Sequence, residues 1–305
     1  MPHLVCINLD PPPLVANERT FAYIFKVTPK LSLAHLTVIQ ASPPELVRIA
    51  ASAGYDCVGL RLLEVTPGDA WPILREPTLL RETKTSLADH GLEVLDVELV
   101  RLLPETAVES FEAMLEVAAE LGARHVLAQG HDPDWARLVD NFSAFCGLAE
   151  TYGMTADVEF LTWTGMKSAS QAWSLIRDAG HANAGVMVDT LHFSRSECSL
   201  AELDEIPAER FHFVQVSDAA GPVPETTERL IFTAREDRLN PGDGDLDLAA
   251  ILSRLPENIP VSVEIPNSSL AKVMPAIERV RAARVATLDL LSEVGRERVS
   301  HSPAR

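Results

Sequence analysis

The sequence lacks any concentration of positive charge. Its 305 residues include 26 Lys and Arg against 44 Asp and Glu, which gives a formal net charge of −18. Nucleic-acid binding normally depends on clustered Lys and Arg, so we expect no DNA or RNA partner. Apolar runs long enough to span a bilayer are also missing, and the N-terminal run Leu4–Leu9 is too short for a signal peptide. We therefore expect a cytoplasmic protein with no membrane partner.

Cysteine and aromatic residues are scarce as well. The four cysteines lie far apart and form no Cys-x-x-Cys pair, which is typical of reduced thiols rather than of a disulfide framework. No serine lies in a Gly-x-Ser-x-Gly turn, so a serine-hydrolase nucleophile is not indicated. Aromatics make up 6% of the chain and hydrophobic residues 47%, most of them aliphatic. Aliphatic strands that are buried on both faces are what a parallel sheet requires.

Short apolar runs alternate with longer amphipathic ones from about residue 30 onward. Several helical patterns end at a glycine that is followed at once by an apolar run, as at Gly54, Gly91 and Gly180. Eight such alternations predict a closed (β/α)8 barrel, an α/β fold, rather than an open sheet. The predicted strands are Leu31–Val38, Asp56–Leu62, Leu92–Leu99, Arg124–Ala128, Met154–Phe160, Ala184–Asp189, Phe211–Val216 and Pro260–Ile265.

The chain is expected to form a single domain with two extensions. Residues 1–30 are rich in proline and have no clear period, so we interpret them as an N-terminal arm. Residues 31–295 form the predicted barrel. Residues 296–305 are polar and are predicted to be a disordered tail.

Oxygen-bearing side chains end the last four predicted strands. They are Glu159, Asp189, Gln215 and Glu264. In a (β/α)8 barrel these ends meet at one mouth, where catalytic groups are found. Buried carboxylates are costly unless a positive charge meets them, and a single divalent cation would serve all four strands. The alternative is that each acid caps the following helix or pairs with an arginine.

These strand ends resemble the xylose isomerase-like barrels, also called the sugar phosphate isomerase/epimerase superfamily. The resemblance rests on Val-Asp-Thr-Leu-His at 188–192, Val-Gln-Val-Ser-Asp at 214–218 and Val-Glu-Ile at 263–265, together with Glu159. It implies that the four oxygen ligands hold one Mn²⁺, Mg²⁺, Co²⁺ or Zn²⁺. It also implies that Glu159 and Glu264 exchange protons with the substrate and that His192 contacts a substrate oxygen. A homodimer is a further expectation.

The sequence departs from the family pattern at two positions. Gln215 stands where many members have histidine, and an all-oxygen set shifts the preference from Zn²⁺ toward Mn²⁺ or Mg²⁺. Leu161 lies two residues after Glu159. At this position the resemblance to the dehydratases of the superfamily implies a histidine instead. That difference weakens a dehydratase interpretation.

A small-molecule isomerase or epimerase, acting on a keto-sugar or cyclic polyol by proton abstraction next to a carbonyl, is the leading hypothesis. A metal-dependent lyase or dehydratase on a keto-acid or an oxidised glycoside is the alternative, and a metal-free binding protein on the same fold remains open. Arg235 and Arg238 follow the seventh strand and could hold a substrate carboxylate or phosphate, or pair with neighbouring acids. The other candidates for substrate contact are His35, Arg61 and Glu98, of which Arg61 and Glu98 could equally pair with each other.

Overall fold

Eight parallel strands close into a barrel in which each strand pairs with the next and the last pairs with the first. The computed structural model describes residues 29–196 and 198–301, with side chains to residue 295. Most of the predicted N-terminal arm lies outside this part. The strands are β1 Leu31–Leu33, β2 Cys57–Arg61, β3 Glu93–Leu102, β4 His125–Gly130, β5 Thr155–Glu159, β6 Ala184–Asp189, β7 Val214–Val216 and β8 Val261–Val263. The predicted (β/α)8 fold is confirmed.

Helices cover the outer face of the barrel. Gly54 and Gly91 end the first two with φ values of 87° and 66°, the left-handed conformation that glycine adopts without strain. These helix-to-strand joints agree with the prediction. The helices are α1 Pro43–Ala53, α2 Pro77–His90, α3 Glu112–Glu120, α4 Trp135–Thr151, α5 Ala169–Ala179, α6 Thr190–Arg195, α7 Leu200–Asp204, α8 Thr227–Glu236, α9 Leu248–Ser253, α10 Ser268–Ala271 and α11 Ala276–His301.

Element boundaries differ from the prediction at both ends of the chain. The first predicted strand stops at Leu33, and His35–Val38 form a 3-10 turn instead. After β8 the chain forms two helices, α10 and α11, separated by Pro275, which cannot donate a backbone hydrogen bond to a continuing helix. Helix α11 continues to His301, so most of the predicted disordered tail is helical.

The barrel wall buries alternate strand residues against the helices, as the fully buried Val126 and Val186 show. The other residues point into the barrel, where an apolar cluster of Cys57, Leu95, Leu99, Leu127, Met187 and Phe213 fills part of the interior. Strand ends on the carboxyl side carry the buried polar side chains discussed below. Among the described helices, none is both long and apolar enough to cross a membrane.

Candidate active site

A cavity of about 210 Å³ opens at the carboxyl ends of the strands. It is smaller than the roughly 300–1,000 Å³ of pockets that hold drug-sized ligands, so it fits a small molecule. The predicted site residues that line it are Arg61, Glu98, Glu159, His192, Gln215, Arg235, Arg238 and Glu264. The sequence-based placement of these side chains at one mouth therefore agrees with the structure.

Arg61 and Glu98 form a buried ion pair on neighbouring strands. The Arg61 Nη2 lies 2.8 Å from Glu98 Oε2, and Arg61 Nη1 lies 3.4 Å from Asp69 Oδ2. Of the two alternatives left by the sequence, the mutual pairing is the one present. Both side chains still face the cavity, so the pair forms a rigid polar wall.

Glu159 ends β5 and is 4% exposed. Its Oε2 accepts a hydrogen bond from Gln129 Nε2, and Gln129 Oε1 in turn lies 3.1 Å from His131 Nε2. This chain of amide and imidazole groups fixes the orientation of the Glu159 carboxylate. Gln129 is part of β4 itself, because that strand runs two residues beyond its predicted end.

Asp189 ends β6 and also caps α6. Its Oδ1 accepts from the backbone N–H groups of Leu191 at 2.7 Å and His192 at 3.3 Å. The cap places His192 on the first turn, with its Nε2 3.7 Å from Glu159 Oε1 and 3.9 Å from Asp189 Oδ2. Ligand atoms of these three side chains lie within 4.8 Å of one another, close enough to share one metal ion.

Arg238 lies inside the predicted ligand set rather than at the pocket rim. It is 2% exposed, and its Nη1 is 2.6 Å from Asp189 Oδ2 while its Nη2 is 2.9 Å from Glu264 Oε2. Two roles were predicted for Arg238, a substrate clamp or an ion pair with the adjacent Glu236 or Asp237. The structure instead pairs it with two candidate metal ligands, so the alternative in which a strand-end acid pairs with an arginine is present at Asp189 and Glu264.

Asp218 holds the loop that carries Arg238 in place. Its carboxylate accepts from the backbone N–H groups of Ala219, Gly242, Gly244 and Leu246 at 2.8–3.1 Å. Position 244 must be glycine, because a Cβ there would overlap the Asp218 carboxylate. This role was not predicted. The Pro-Gly-Asp-Gly motif at 241–244 could have indicated it, because such turns expose backbone donors to a nearby carboxylate.

Gln215 supplies an unsatisfied acceptor in the middle of the site. Its side chain is fully buried, its Nε2 donates to Glu98 Oε1 at 3.4 Å, and its Oε1 has no donor among the described residues. A buried acceptor without a donor is unfavourable unless a ligand or an ion meets it. Amide and carboxylate oxygens are the ligands that Mg²⁺ and Mn²⁺ prefer.

The charges around Gln215 also fit a divalent ion. Two arginines, Arg61 and Arg238, balance two of the four buried carboxylates. With all four carboxylates ionised, two negative charges remain, because burial lowers the pKa of His192 to about 4 and leaves that side chain neutral. The four carboxylates are Glu98, Glu159, Asp189 and Glu264. A divalent cation held by Glu159, Asp189, Gln215 and Glu264 would neutralise the excess, so these residues fit the expected metal.

The two glutamates hold protons more tightly than exposed carboxylates do. Burial, followed by the neighbouring Asp189 charge, raises the pKa of Glu159 to about 8. Burial also raises the pKa of Glu264, against the opposing effect of Arg238. Burial acts on Asp189 in the same direction, but Arg238 and the cap hydrogen bonds hold its pKa below the usual value. Asp189 therefore stays ionised, while the glutamates are suited to proton transfer.

His35 does not line the cavity. Its Nε2 lies 2.9 Å from the Ala41 carbonyl, and its Nδ1 accepts from the Arg61 backbone N–H. Because β1 ends at Leu33, His35 belongs to the following 3-10 turn, where it is fully buried. It connects this turn to β2 and does not reach the cavity where substrate contact was predicted.

Three arginines that form no ion pair with the described residues surround the outer part of the cavity, and one of them, Arg279, donates to the Thr37 carbonyl at 3.1 Å. Arg235 has no hydrogen bond or ion pair among the described residues, and burial together with Arg61 and Arg101 lowers its pKa. Arg101 and Arg279 line the same opening. Arg101 was not predicted as a site residue, because the third predicted strand ends at Leu99 whereas β3 continues to Leu102.

The structure is a (β/α)8 barrel with a small cavity, lined by polar side chains, at the carboxyl ends of its strands. The chain belongs to the xylose isomerase-like TIM barrel family, whose sequence model matches residues 47–287. It is 29% identical over 225 residues to a 3-dehydroshikimate dehydratase of Pseudomonas aeruginosa, covering 69% of this chain and 33% of that protein. It is 27% identical over 200 residues to an inosose isomerase of Bacillus licheniformis, covering 61% of this chain and 69% of that protein. The chain thus spans about a third of the Pseudomonas dehydratase.

Solved structures share the fold. A xylose isomerase-like TIM barrel/4-hydroxyphenylpyruvate dioxygenase fusion protein superposes with a TM-score of 0.76 at 22% identity, covering 91% of this chain and 45% of that one. The IOLI protein, solved with a bound zinc atom, gives a TM-score of 0.72 at 22% identity and covers 87% of this chain and 99% of that one. An L-ribulose 3-epimerase gives 0.66 at 18% identity, covering 91% of this chain and 100% of that one.

Proposed function

We propose that this protein is a divalent-metal-dependent isomerase or epimerase that moves a proton next to a carbonyl of a small keto-sugar or cyclic polyol. The observation that carries the proposal is the pair of buried glutamates, Glu159 on β5 and Glu264 after β8, that face one small polar cavity from separate strands. The inosose isomerase relative and the epimerase structures support the same class of reaction.

The side chains divide the work. Glu159 removes the proton from the carbon beside the carbonyl, held in place by its hydrogen bond from Gln129. Glu264, across the cavity, returns a proton to the opposite face or to the neighbouring carbon. His192, neutral and directed at the same space, hydrogen-bonds a substrate oxygen. A divalent ion bound by Glu159, Asp189, Gln215 and Glu264 supplies Lewis-acid polarisation of the substrate oxygens.

A lyase reaction on a keto-acid is the second candidate, and the unpaired arginines favour it. Arg235 and Arg101 carry positive charge at the cavity opening, where a substrate carboxylate would bind. The dehydratase relative is consistent with this reaction. The proton removed by Glu159 would be the same, but the electron pair would expel a β-hydroxyl instead of accepting a proton at carbon. The leaving hydroxyl would take a proton from Glu264 and depart as water.

Incubation of candidate substrates in D₂O with Mn²⁺ separates the two reactions. The isomerase proposal expects deuterium incorporation beside the carbonyl with no loss of mass, whereas the lyase expects loss of water. E159Q and E264Q should each lower exchange by roughly 10²–10⁴-fold, the usual contribution of a positioned acid or base. The control E120Q changes a surface glutamate paired with Lys84 and should retain exchange. Full exchange in both site variants would refute the assignment of these glutamates.

A further inference from the structure

A second group of potential metal ligands lies at the opposite end of the barrel. We call it the floor cluster: His125, the first residue of β4; Asp157, in the middle of β5; and His212, which precedes β7. Ligand atoms of the three side chains lie within 4.8 Å of one another. Asp157 is fully buried, whereas the two histidine side chains are 13% and 19% exposed. Solvent ions can therefore reach the cluster from outside the barrel.

The Nδ1 atoms of both imidazoles lie beside one carboxylate. His212 Nδ1 is 2.7 Å from Asp157 Oδ1, and His125 Nδ1 is 3.6 Å from Asp157 Oδ2. The rings are stacked, with centroids 5.6 Å apart and planes 11° from parallel. An ordinary Asp–His pair needs one imidazole. The second, at 3.6 Å, lies beyond hydrogen-bonding distance of the carboxylate. Thr155 connects the two groups, because its hydroxyl lies 2.7 Å from His125 Nδ1 and donates to Asp157 Oδ2 at 2.5 Å.

Glycine at position 185 makes room for this arrangement. A Cβ on Gly185 would overlap both Asp157 Oδ1 and His212 Nδ1. The inner face of β6 is therefore bare at the level of the cluster, and the two ligands occupy the space that a side chain would fill. A substitution at this position would separate Asp157 from His212.

A second buried acid, Asp96, lies on the strand next to His125. Asp96 is fully buried, and neither of its oxygens has a hydrogen-bond donor among the described residues. It lies opposite His125 in the β3–β4 register and points into the barrel over Gly59. Burial, then the charges of Glu98, Glu264 and Asp157, raise its pKa well above the usual value. The raised pKa favours the neutral form of Asp96, so Asp157 alone supplies the carboxylate of the floor cluster.

We propose that the floor cluster binds one divalent ion of the Zn²⁺ type through His125 Nδ1, Asp157 and His212 Nδ1. Two imidazoles and one carboxylate suit Zn²⁺ or Co²⁺, whereas the oxygen-rich active site suits Mg²⁺ or Mn²⁺. The ion is structural. Strand β7 has three residues and pairs with β6 at only two positions, so a metal that joins β4 and β5 to the segment before β7 strengthens this part of the barrel wall.

The test is Zn²⁺ binding to chelator-stripped protein in excess Mg²⁺, measured by calorimetry and elemental analysis. The variant D189N, which removes an active-site ligand, should still bind one Zn²⁺ per chain and gain thermal stability from it. H125Q and H212Q should each weaken Zn²⁺ binding by at least ~100-fold. Removing a residue that only orients a metal ligand already costs up to about 100-fold, and these two variants remove ligands themselves. The control H90Q changes a histidine that bonds its own helix backbone and should bind as the wild type does.

Spectroscopy and a backbone variant cover the case in which a histidine variant does not fold. Wild-type protein titrated with Co²⁺ should show the visible absorption of a nitrogen-ligated ion, and G185A should lose it while retaining Mg²⁺ binding at the active site. The proposal is overturned if H125Q and H212Q bind Zn²⁺ as the wild type does. It is also overturned if D189N abolishes all Zn²⁺ binding, because the active site would then be the only zinc site.

Discussion

Replacing Arg238 by methionine removes the guanidinium that joins Asp189 to Glu264. The variant keeps an unbranched apolar stem but leaves both carboxylates without their closest positive charge. Arg238 is 2% exposed, so water cannot replace the lost contacts. Breaking a buried ion pair in this way costs about 3–5 kcal/mol. With a shift of ~2–4 °C for each kcal/mol in a large domain, the metal-free Tm should fall on the order of 10 °C.

Metal should restore much of this loss. In the wild type, Asp189 and Glu264 share their charge with Arg238, which repels a cation arriving at the same oxygens. Without the guanidinium the site carries a larger negative charge, so Mn²⁺ should raise the Tm of R238M more than that of the wild type. Calorimetry in EDTA and in saturating Mn²⁺ measures both effects.

R254M is the matched control for this experiment. Arg254 pairs with Asp204 at 2.7 Å on the surface, with both side chains more than 40% exposed. Its replacement should change stability by no more than ~0.5 kcal/mol and should leave the response to Mn²⁺ unaltered. The account is refuted if metal-free R238M is as stable as the wild type, or if Mn²⁺ stabilises both proteins equally.

Three further predictions follow from individual side chains. Q215H replaces an amide oxygen by an imidazole nitrogen, so competition binding should shift from Mn²⁺ toward Zn²⁺; an unchanged ratio would exclude Gln215 as a ligand. His35 is neutral in the fold because burial lowers its pKa from 6.5 to about 4, so protonation favours the unfolded chain as the pH falls below about 6.5. Urea unfolding should show a loss of about 2 kcal/mol from this group between pH 7 and 5, absent in H35Q. D218A leaves four backbone donors without an acceptor, so kcat should fall through misplacement of Arg238; D243A, in the same turn, should not have this effect.

The barrel and the set of strand-end oxygens could be predicted because both depend on local patterns. Apolar runs separated by glycine-terminated helices specify a parallel barrel, and its geometry brings the ends of β5 to β8 to one mouth. Glu159, Asp189, Gln215 and Glu264 were identified from this rule alone. Their approach to one another follows from strand order, which the sequence pattern encodes.

Contacts between loops and distant strands could not be predicted in the same way. Arg238 follows β7 by more than twenty residues, and its contact with Asp189 depends on the loop that Asp218 folds. His35 was placed on a strand because the apolar run continues past Leu33, where the chain in fact turns. Asp157 and His212 meet through the space left by Gly185, a contact between two strands and the segment before β7 that no periodicity reveals.

Binding of Mn²⁺ to chelator-stripped protein tests whether the strand-end oxygens hold a metal ion. We expect one tightly bound Mn²⁺ per chain, measured by calorimetry and by the loss of the free-ion EPR signal. The double variant E159Q/D189N should retain its circular dichroism spectrum but bind Mn²⁺ at least ~100-fold more weakly, as expected when ligands themselves are removed. Equal binding by the double variant, or no Mn²⁺ binding by the wild type, would contradict this expectation.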